Sequence, residues 1–247
     1  MTKIERKSKF EVPIDYVLNK LFPSADIIFK DTGLDYKTNS IMIKKVVFYG
    51  AESSGKTTTM RYLAEEMTKR YKEYSRASYS RGNLEALITY GWGDEGEKIC
   101  PINMLCIDDL TGETINKNFV PQIFRLRHIA SEVNRRNNGL VVMLIGTHDI
   151  FGIDKKIRIE PTFYFYKSVP RNKSDYTLAR NIFGDGMLEE FNKYLVDVED
   201  NGLPPNKMMW ADRSRKGIST IPLAKKDYLQ GIDDKVEEEW YCGQLVG

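Results

Sequence analysis

The sequence predicts an α/β fold, a mostly parallel sheet covered by helices on both faces. Three observations predict it. Residues 43–49 form an apolar, β-rich run that stops at Gly50 and gives way to an amphipathic stretch over 56–71. Residues 102–107 and 140–145 are two further apolar runs, separated by a helical pattern at 119–136. Near-continuous apolar strands alternating with amphipathic helices are what a parallel sheet buried on both faces requires.

Taken in order, residues 1–40 read as a lead-in segment, with a short helix at 16–21 bracketed by Pro13 and Pro23. In the 56–71 helix, Met60, Leu63, Ala64 and Met67 share one stripe. The next stretch, 69–81, carries Lys69, Arg70, Lys72, Arg76 and Arg81 interleaved with Tyr71, Tyr74 and Tyr79. It reads first as a solvated helix end and second as a surface for single-stranded nucleic acid. In the 119–136 helix, Ile123, Leu126, Ile129, Ala130 and Val133 share a face, and Asn137-Asn138-Gly139 ends it. Residues 161–166 give a fourth strand, and helices follow at 175–183 and 187–198. Gly202-Leu203-Pro204-Pro205 breaks the chain before a hairpin of 207–212 and 218–223. The acidic run 233–239 reads as a solvated helix or tail. The expected organisation is a lead-in (1–40), one domain (41–232) and a tail (233–247).

Composition sets bounds. Of 247 residues, 41% are hydrophobic and 29% charged, enough apolar material for a packed core without staples. Lys plus Arg total 37 against 35 Asp plus Glu, so any basic surface must be local. Cys100, Cys106 and Cys242 lack paired ligand spacing, and two histidines argue against a His-rich metal site. No apolar run approaches the roughly 18 residues of a bilayer span. The charged start (Lys3, Glu5, Arg6, Lys7, Lys9) has no apolar stretch behind it. The expectation is an intracellular protein without membrane insertion.

The chemistry is concentrated in Gly50-Ala51-Glu52-Ser53-Ser54-Gly55-Lys56-Thr57, which fits G-x-x-x-x-G-K-[ST] between a strand and a helix. Such a P-loop turns its backbone N–H groups toward a β-phosphate, at a helix end that already favours anions. Lys56 is expected on the β- and γ-oxygens, the Thr57 hydroxyl on Mg²⁺, and Thr58 near the α-phosphate. ATP with Mg²⁺ is the expected ligand.

The run at 104–107 ends in Asp108-Asp109. Asp108 is expected on the metal side, often through water, and Asp109 is placed to polarise the attacking water, with Glu113 as a substitute. The strand at 140–145 leads into Gly146-Thr147-His148-Asp149, at the ligand edge of a parallel sheet. Thr147 or His148 is therefore placed to sense the γ-phosphate through that water. Arg158 precedes the fourth strand and is a candidate arginine finger acting on a neighbouring subunit; Arg135 and Arg136 are weaker rivals. Arg213, Arg215 and Lys216 fall on the hairpin tip, a solvated turn by the simpler reading and a DNA-backbone contact by the other.

From Gly50 to about Tyr166 the order of features resembles the FtsK–HerA branch of P-loop ATPases: DNA translocases, conjugation ATPases, viral packaging ATPases and Zot-like phage proteins. Three points carry it. Ile107-Asp108-Asp109 is followed by a helix with Arg127-His128, like the Arg-His of Zot-like proteins. Leu144-Ile145-Gly146-Thr147-His148 stands where the branch has a strand ending in Gln. Ile153-Asp154 through Ile157-Arg158, then an apolar strand, looks like the branch's Arg-bearing segment. His148 thus replaces Gln, and Asp109 stands where many P-loop ATPases have Glu. The resemblance implies a RecA-like sheet, a homohexameric ring, ATP sites between subunits, and DNA moved through the pore.

Three other readings stay open on the residues. An AAA+-like helicase loader or replication initiator would use the helices after Pro170 as a lid, with Arg180 as a second sensor. A GTPase is suggested by Asp109-Leu110-Thr111-Gly112, but Gly146-Thr147-His148-Asp149 lacks the lysine and spacing of a guanine-reading motif. The shorter acid at Asp109 also suits a nucleotide-gated interaction module.

Overall fold

The computed structural model describes residues 8–29, 41–92, 100–110, 120–134, 138–153, 155–158 and 161–232. Along the chain come α1 (Asp15–Leu21), α2 (Ala25–Ile28), β1 (Met42–Tyr49), α3 (Lys56–Tyr71), β2 (Ser75–Arg81), α4 (Leu84–Tyr90) and β3 (Ile102–Asp108). Then follow α5 (Val120–Asn134), β4 (Leu140–Thr147), α6 (Lys155–Arg158), β5 (Phe163–Tyr166), α7 (Lys173–Phe183) and α8 (Asp185–Asp200). The chain closes with β6 (Lys207–Ala211), β7 (Lys216–Thr220) and β8 (Leu229–Gly231).

The strands form one eight-stranded sheet in the order β7-β6-β5-β1-β4-β3-β2-β8. From β5 to β8 every neighbouring pair is parallel; β6 and β7 continue the sheet as an antiparallel hairpin beside β5. The predicted α/β class is the observed one. β4 stands between the glycine-loop strand β1 and the acidic strand β3. The C-terminal ends of all three lie along one edge, where ligands of parallel sheets bind.

Strand periodicity divides the core. Val47 and Tyr49 face a layer built with Leu87 of α4, Leu126 of α5, and Ala179 and Phe191 of α7 and α8. Val46 and Phe48 face the layer of α1 and α3, with Leu18, Met60, Leu63 and Met67. Burying each Val, Leu, Met or Phe among these contributes roughly 1.5–3 kcal/mol. β3 and β4 are buried along their whole length, which is why, Asn103 and the terminal residues apart, they read as apolar runs.

Residues 8–29, expected as a lead-in, pack onto this core. The Val12 N–H donates to Ile218 O and the Ile218 N–H to Phe10 O, so the segment runs along the β7 edge. Tyr16 of α1 stacks on Trp210 at 5.1 Å. Its hydroxyl and the Lys20 ammonium both reach Asp212, at 3.0 and 2.6 Å.

The reading of 69–81 as a solvated helix end is corrected: Ser75–Arg81 is a strand between β3 and β8. Lys72 takes a left-handed φ of 49° and turns the chain out of α3. The strand was hidden because its buried positions are small and polar. Ser78 is fully buried, and its hydroxyl donates to Gly91 O at 2.7 Å. After β7 the chain crosses α3 to reach β8. There the Lys225 N–H donates to Glu65 Oε2 at 2.6 Å, and Arg61 pairs with Asp227 at 2.9 Å. The predicted helix at 119–136 is observed over Val120–Asn134. Glu113, Arg135, Arg136 and the acidic run 233–239 lie outside the described residues.

Candidate functional site

The loop between β1 and α3 wraps the helix N-terminus. Gly55 is its N-cap with φ 88°, a left-handed conformation that costs glycine little. Ser53 takes φ 59°, and the Ala51 N–H donates to the Ser168 hydroxyl at 2.9 Å, tying the loop to the end of β5. Glu52, Ser53, Ser54, Gly55, Lys56, Thr57 and Thr58 line a cleft of about 330 Å³ with Tyr79, Arg81, Asp108 and Asp109.

Lys56 is buried, and its Nζ donates to Gly50 O at 3.0 Å. It lies 3.5 Å from both Asp108 Oδ1 and Asp109 Oδ1. The Thr57 hydroxyl donates to Asp108 Oδ2 at 2.8 Å. Asp108 Oδ1 also accepts from the Asp109 N–H at 3.0 Å. Asp109, the first residue beyond β3, has a left-handed φ of 55°. That turn brings its carboxylate back into the cleft, one third exposed, beside Lys56.

The donor set fits a hydrated Mg²⁺ beside a polyphosphate. Thr57 and Asp108 supply two hard oxygens on one spot. Among the described residues no group of three or more His, Cys, Asp or Glu is placed to hold a metal. Mg²⁺ needs no such cage, because it keeps waters and phosphate oxygens as ligands. The Ser54 hydroxyl is buried at the cleft with no hydrogen-bond partner among the described residues, a donor for a ligand oxygen.

The sequence reading places two neighbours elsewhere, on a helix end or a nucleic-acid surface. Tyr79 and Arg81, at i and i+2 on β2, both line the cleft. The Tyr79 hydroxyl bonds with Thr57, and burial, then Asp108, raises its pKa. Their signal was the alternation along 75–81, obscured by the polar composition. Lys167, just past β5, was missed. It is 2% exposed, donates to Pro205 O at 3.0 Å, and burial lowers its pKa to about 8. A Cβ on Gly55 would stand 3.4 Å from Lys167 Cε, so this lysine backs the loop. Its signal was positional, the residue after a strand that ends at the ligand edge.

Other candidates lie apart. His148 is exposed at the end of β4 and does not line the cleft. Thr147 is fully buried, its hydroxyl donating to Asp149 O and accepting the Asp149 N–H. Arg158 sits on α6 with its guanidinium 4.1 Å from the centre of the Phe151 ring, away from its own chain's cleft. Arg127 and His128 are exposed on α5. Arg180 pairs with Asp185 at 2.8 Å, outside the cleft lining. Arg213, Arg215 and Lys216 line a second cleft of about 460 Å³ at the opposite edge of the sheet.

No family model and no curated protein matches the chain. Among solved structures it is similar to B204, the DNA-packaging ATPase from Sulfolobus turreted icosahedral virus, at 10% identity and TM-score 0.45, over 72% of this chain and 98% of that one. The genome-packaging NTPase B204 of Sulfolobus turreted icosahedral virus 2, in complex with AMPPCP, gives 11% and 0.45, over 73% and 98%. The pCW3 conjugation coupling protein TcpA, with ATPgS, gives 13% and 0.34, over 87% and 71%. No helix among the described residues is long and apolar enough to cross a membrane.

Proposed function

We propose that this protein hydrolyses ATP and couples the hydrolysis to movement of DNA, as a ring of identical subunits. The observation that carries the ATPase reading is the convergence of Lys56, Thr57, Asp108 and Asp109 at the loop-and-helix junction. Loop amides and the α3 N-terminus take the phosphates, and Lys56 turns from its carbonyl partner to the β- and γ-oxygens. Thr57 and Asp108 would hold Mg²⁺, which when bound would supply neutralisation of the charge that develops on the phosphates. Asp109 accepts the proton of the attacking water, and His148 orients that water once the edge is covered by a neighbour. Arg158 reaches the γ-phosphate of that neighbouring subunit.

The DNA motor is favoured over an AAA+-like loader by the hairpin. β6 and β7 extend the sheet beside β5, whereas α7 and α8 pack on a sheet face through Phe183 and Phe191 and give no residue to the cleft. The hairpin tip presents exposed Arg213, Arg215 and Lys216, cations suited to a phosphate backbone. The test is Mg-ATP turnover with and without duplex DNA, and light scattering of the same mixtures. The expected result is DNA-stimulated turnover, absent in Lys56→Ala, by a particle of several subunits. A monomer whose turnover ignores DNA would rule out the motor.

A further inference from the structure

Arg81 stands where its chemistry has a choice of anions. Its Nε is 3.2 Å from Asp109 Oδ2, while the other oxygen of the same carboxylate is 3.5 Å from Lys56 Nζ. The pair is fixed by the sheet. Arg81 is in register with Asp108, and the Gly82 N–H donates to Asp108 O at 2.9 Å, so the ends of β2 and β3 cannot slide apart. β8 covers the far side of β2, with the Ile232 N–H donating to Tyr79 O. The Arg81 side chain is nevertheless 69% exposed and lines the phosphate cleft. An ion pair that open contributes little to folding. Its effect is on Asp109: both carboxylate oxygens are engaged, one by Arg81 and one by Lys56, and neither faces a water freely.

We propose that Arg81 is a cis-acting sensor of the terminal phosphate, exchanging its ion pair with Asp109 for the γ-phosphate of ATP and so releasing Asp109 to the attacking water. The inference rests on reading the cleft as an ATP site. A triphosphate brings several negative charges against the single charge of Asp109, and guanidinium pairs with phosphate through the same two-pronged geometry as with carboxylate. ADP lacks the phosphate that would draw Arg81 across. Asp109 is therefore held in its cation bracket when ADP is bound and freed when ATP is bound.

The test compares binding of Mg-ADP and a non-hydrolysable Mg-ATP analogue by calorimetry, with turnover alongside. Arg81→Ala is expected to weaken analogue binding roughly tenfold, the loss of one charge-assisted contact. ADP affinity should stay within about twofold, and kcat should fall more than KM rises. Arg81→Lys, which keeps the charge, should restore part of the analogue preference. Asp109→Asn should tighten analogue binding when Arg81 is present and tighten it less in an Arg81→Ala background, where only Lys56 is released from the carboxylate. Equal loss for both nucleotides, or no loss for either, would overturn the proposal. If the unaltered protein binds neither nucleotide, the ATP reading itself is what fails, and the sensor with it.

Discussion

Gly146 of β4 touches Asp108 of β3: a Cβ built on the glycine would stand 2.5 Å from Asp108 Oδ1. That oxygen receives the Asp109 N–H and faces Lys56. The glycine is the space in which the metal-side carboxylate lies. Gly146→Ala should leave the sheet formed, since alanine fits a strand, but displace Asp108 by a fraction of an ångström or more. A shift on that scale costs about 100-fold in turnover. Circular dichroism and ATPase rates separate the two outcomes; an active Gly146→Ala would mean that Asp108 tolerates displacement.

The two aspartates are expected to fail differently. Asp108→Asn should weaken Mg-ATP binding, because it removes an anionic metal ligand bonded to Thr57. Asp109→Asn should bind Mg-ATP at least as well as the unaltered protein, yet lose roughly 100-fold or more in kcat, the usual scale of a general base. Nucleotide titration and single-turnover rates on both variants check the split.

Lys167 predicts an alkaline rise in stability. Burial brings its ammonium to about 8, against 10.5 for the unperturbed group. Between those pH values the unfolded chain holds more protons than the folded one, so stability increases with pH across the window. Below it both states are charged, and the cost of burial is on the order of 3 kcal/mol. Burial pushes Tyr49 and Tyr62 to about 12, an effect that opposes this one only as pH rises past about 10. Urea midpoints at pH 7.5 and 9.5 should rise for the unaltered protein and rise less for Lys167→Met, in which Lys44, also lowered by burial, still contributes. Parallel curves for the two proteins would contradict the assignment.

Asp212 predicts the acid side. Burial alone would raise its pKa, but the Lys20 ammonium, the Ser214 and Arg215 N–H groups and the Ser214 hydroxyl outweigh burial and bring it to about 2. This stabilisation is present above the ordinary carboxyl value of 3.8 and is lost as pH falls through about 2. Asp212→Asn should cost about 2 kcal/mol near neutrality, measured by thermal or urea unfolding. It should also loosen α1, which holds Asp212 through Tyr16 and Lys20.

Arg158 is tested by mixing. If it acts on a neighbour, Arg158→Ala subunits should depress the turnover of unaltered subunits more than their fraction in the mixture. Simple averaging would show that it has no role across subunits. Its ring partner offers a second arm: Phe151→Ala should reduce turnover in the same direction, because the ring holds the guanidinium at 4.1 Å.

The sequence by itself determined the sheet class, the phosphate loop and the acidic strand end. Each is local: a β-rich run, two glycines, a lysine and a threonine at fixed spacing, and two carboxylates after an apolar strand are read without knowing what lies beside them. The tertiary structure decided the rest, because strand order is set by packing between residues far apart in the chain. Ser75–Arg81 carries too little apolar surface to announce a strand, yet pairing with β3 makes it one and carries Tyr79 and Arg81 to the cleft. Lys167 carries no signal of its own in the sequence; only with β5 set beside β1 is it buried and its pKa lowered. Gly146 reads as the glycine just past a strand until β4 lies against β3 and Asp108 fills its space.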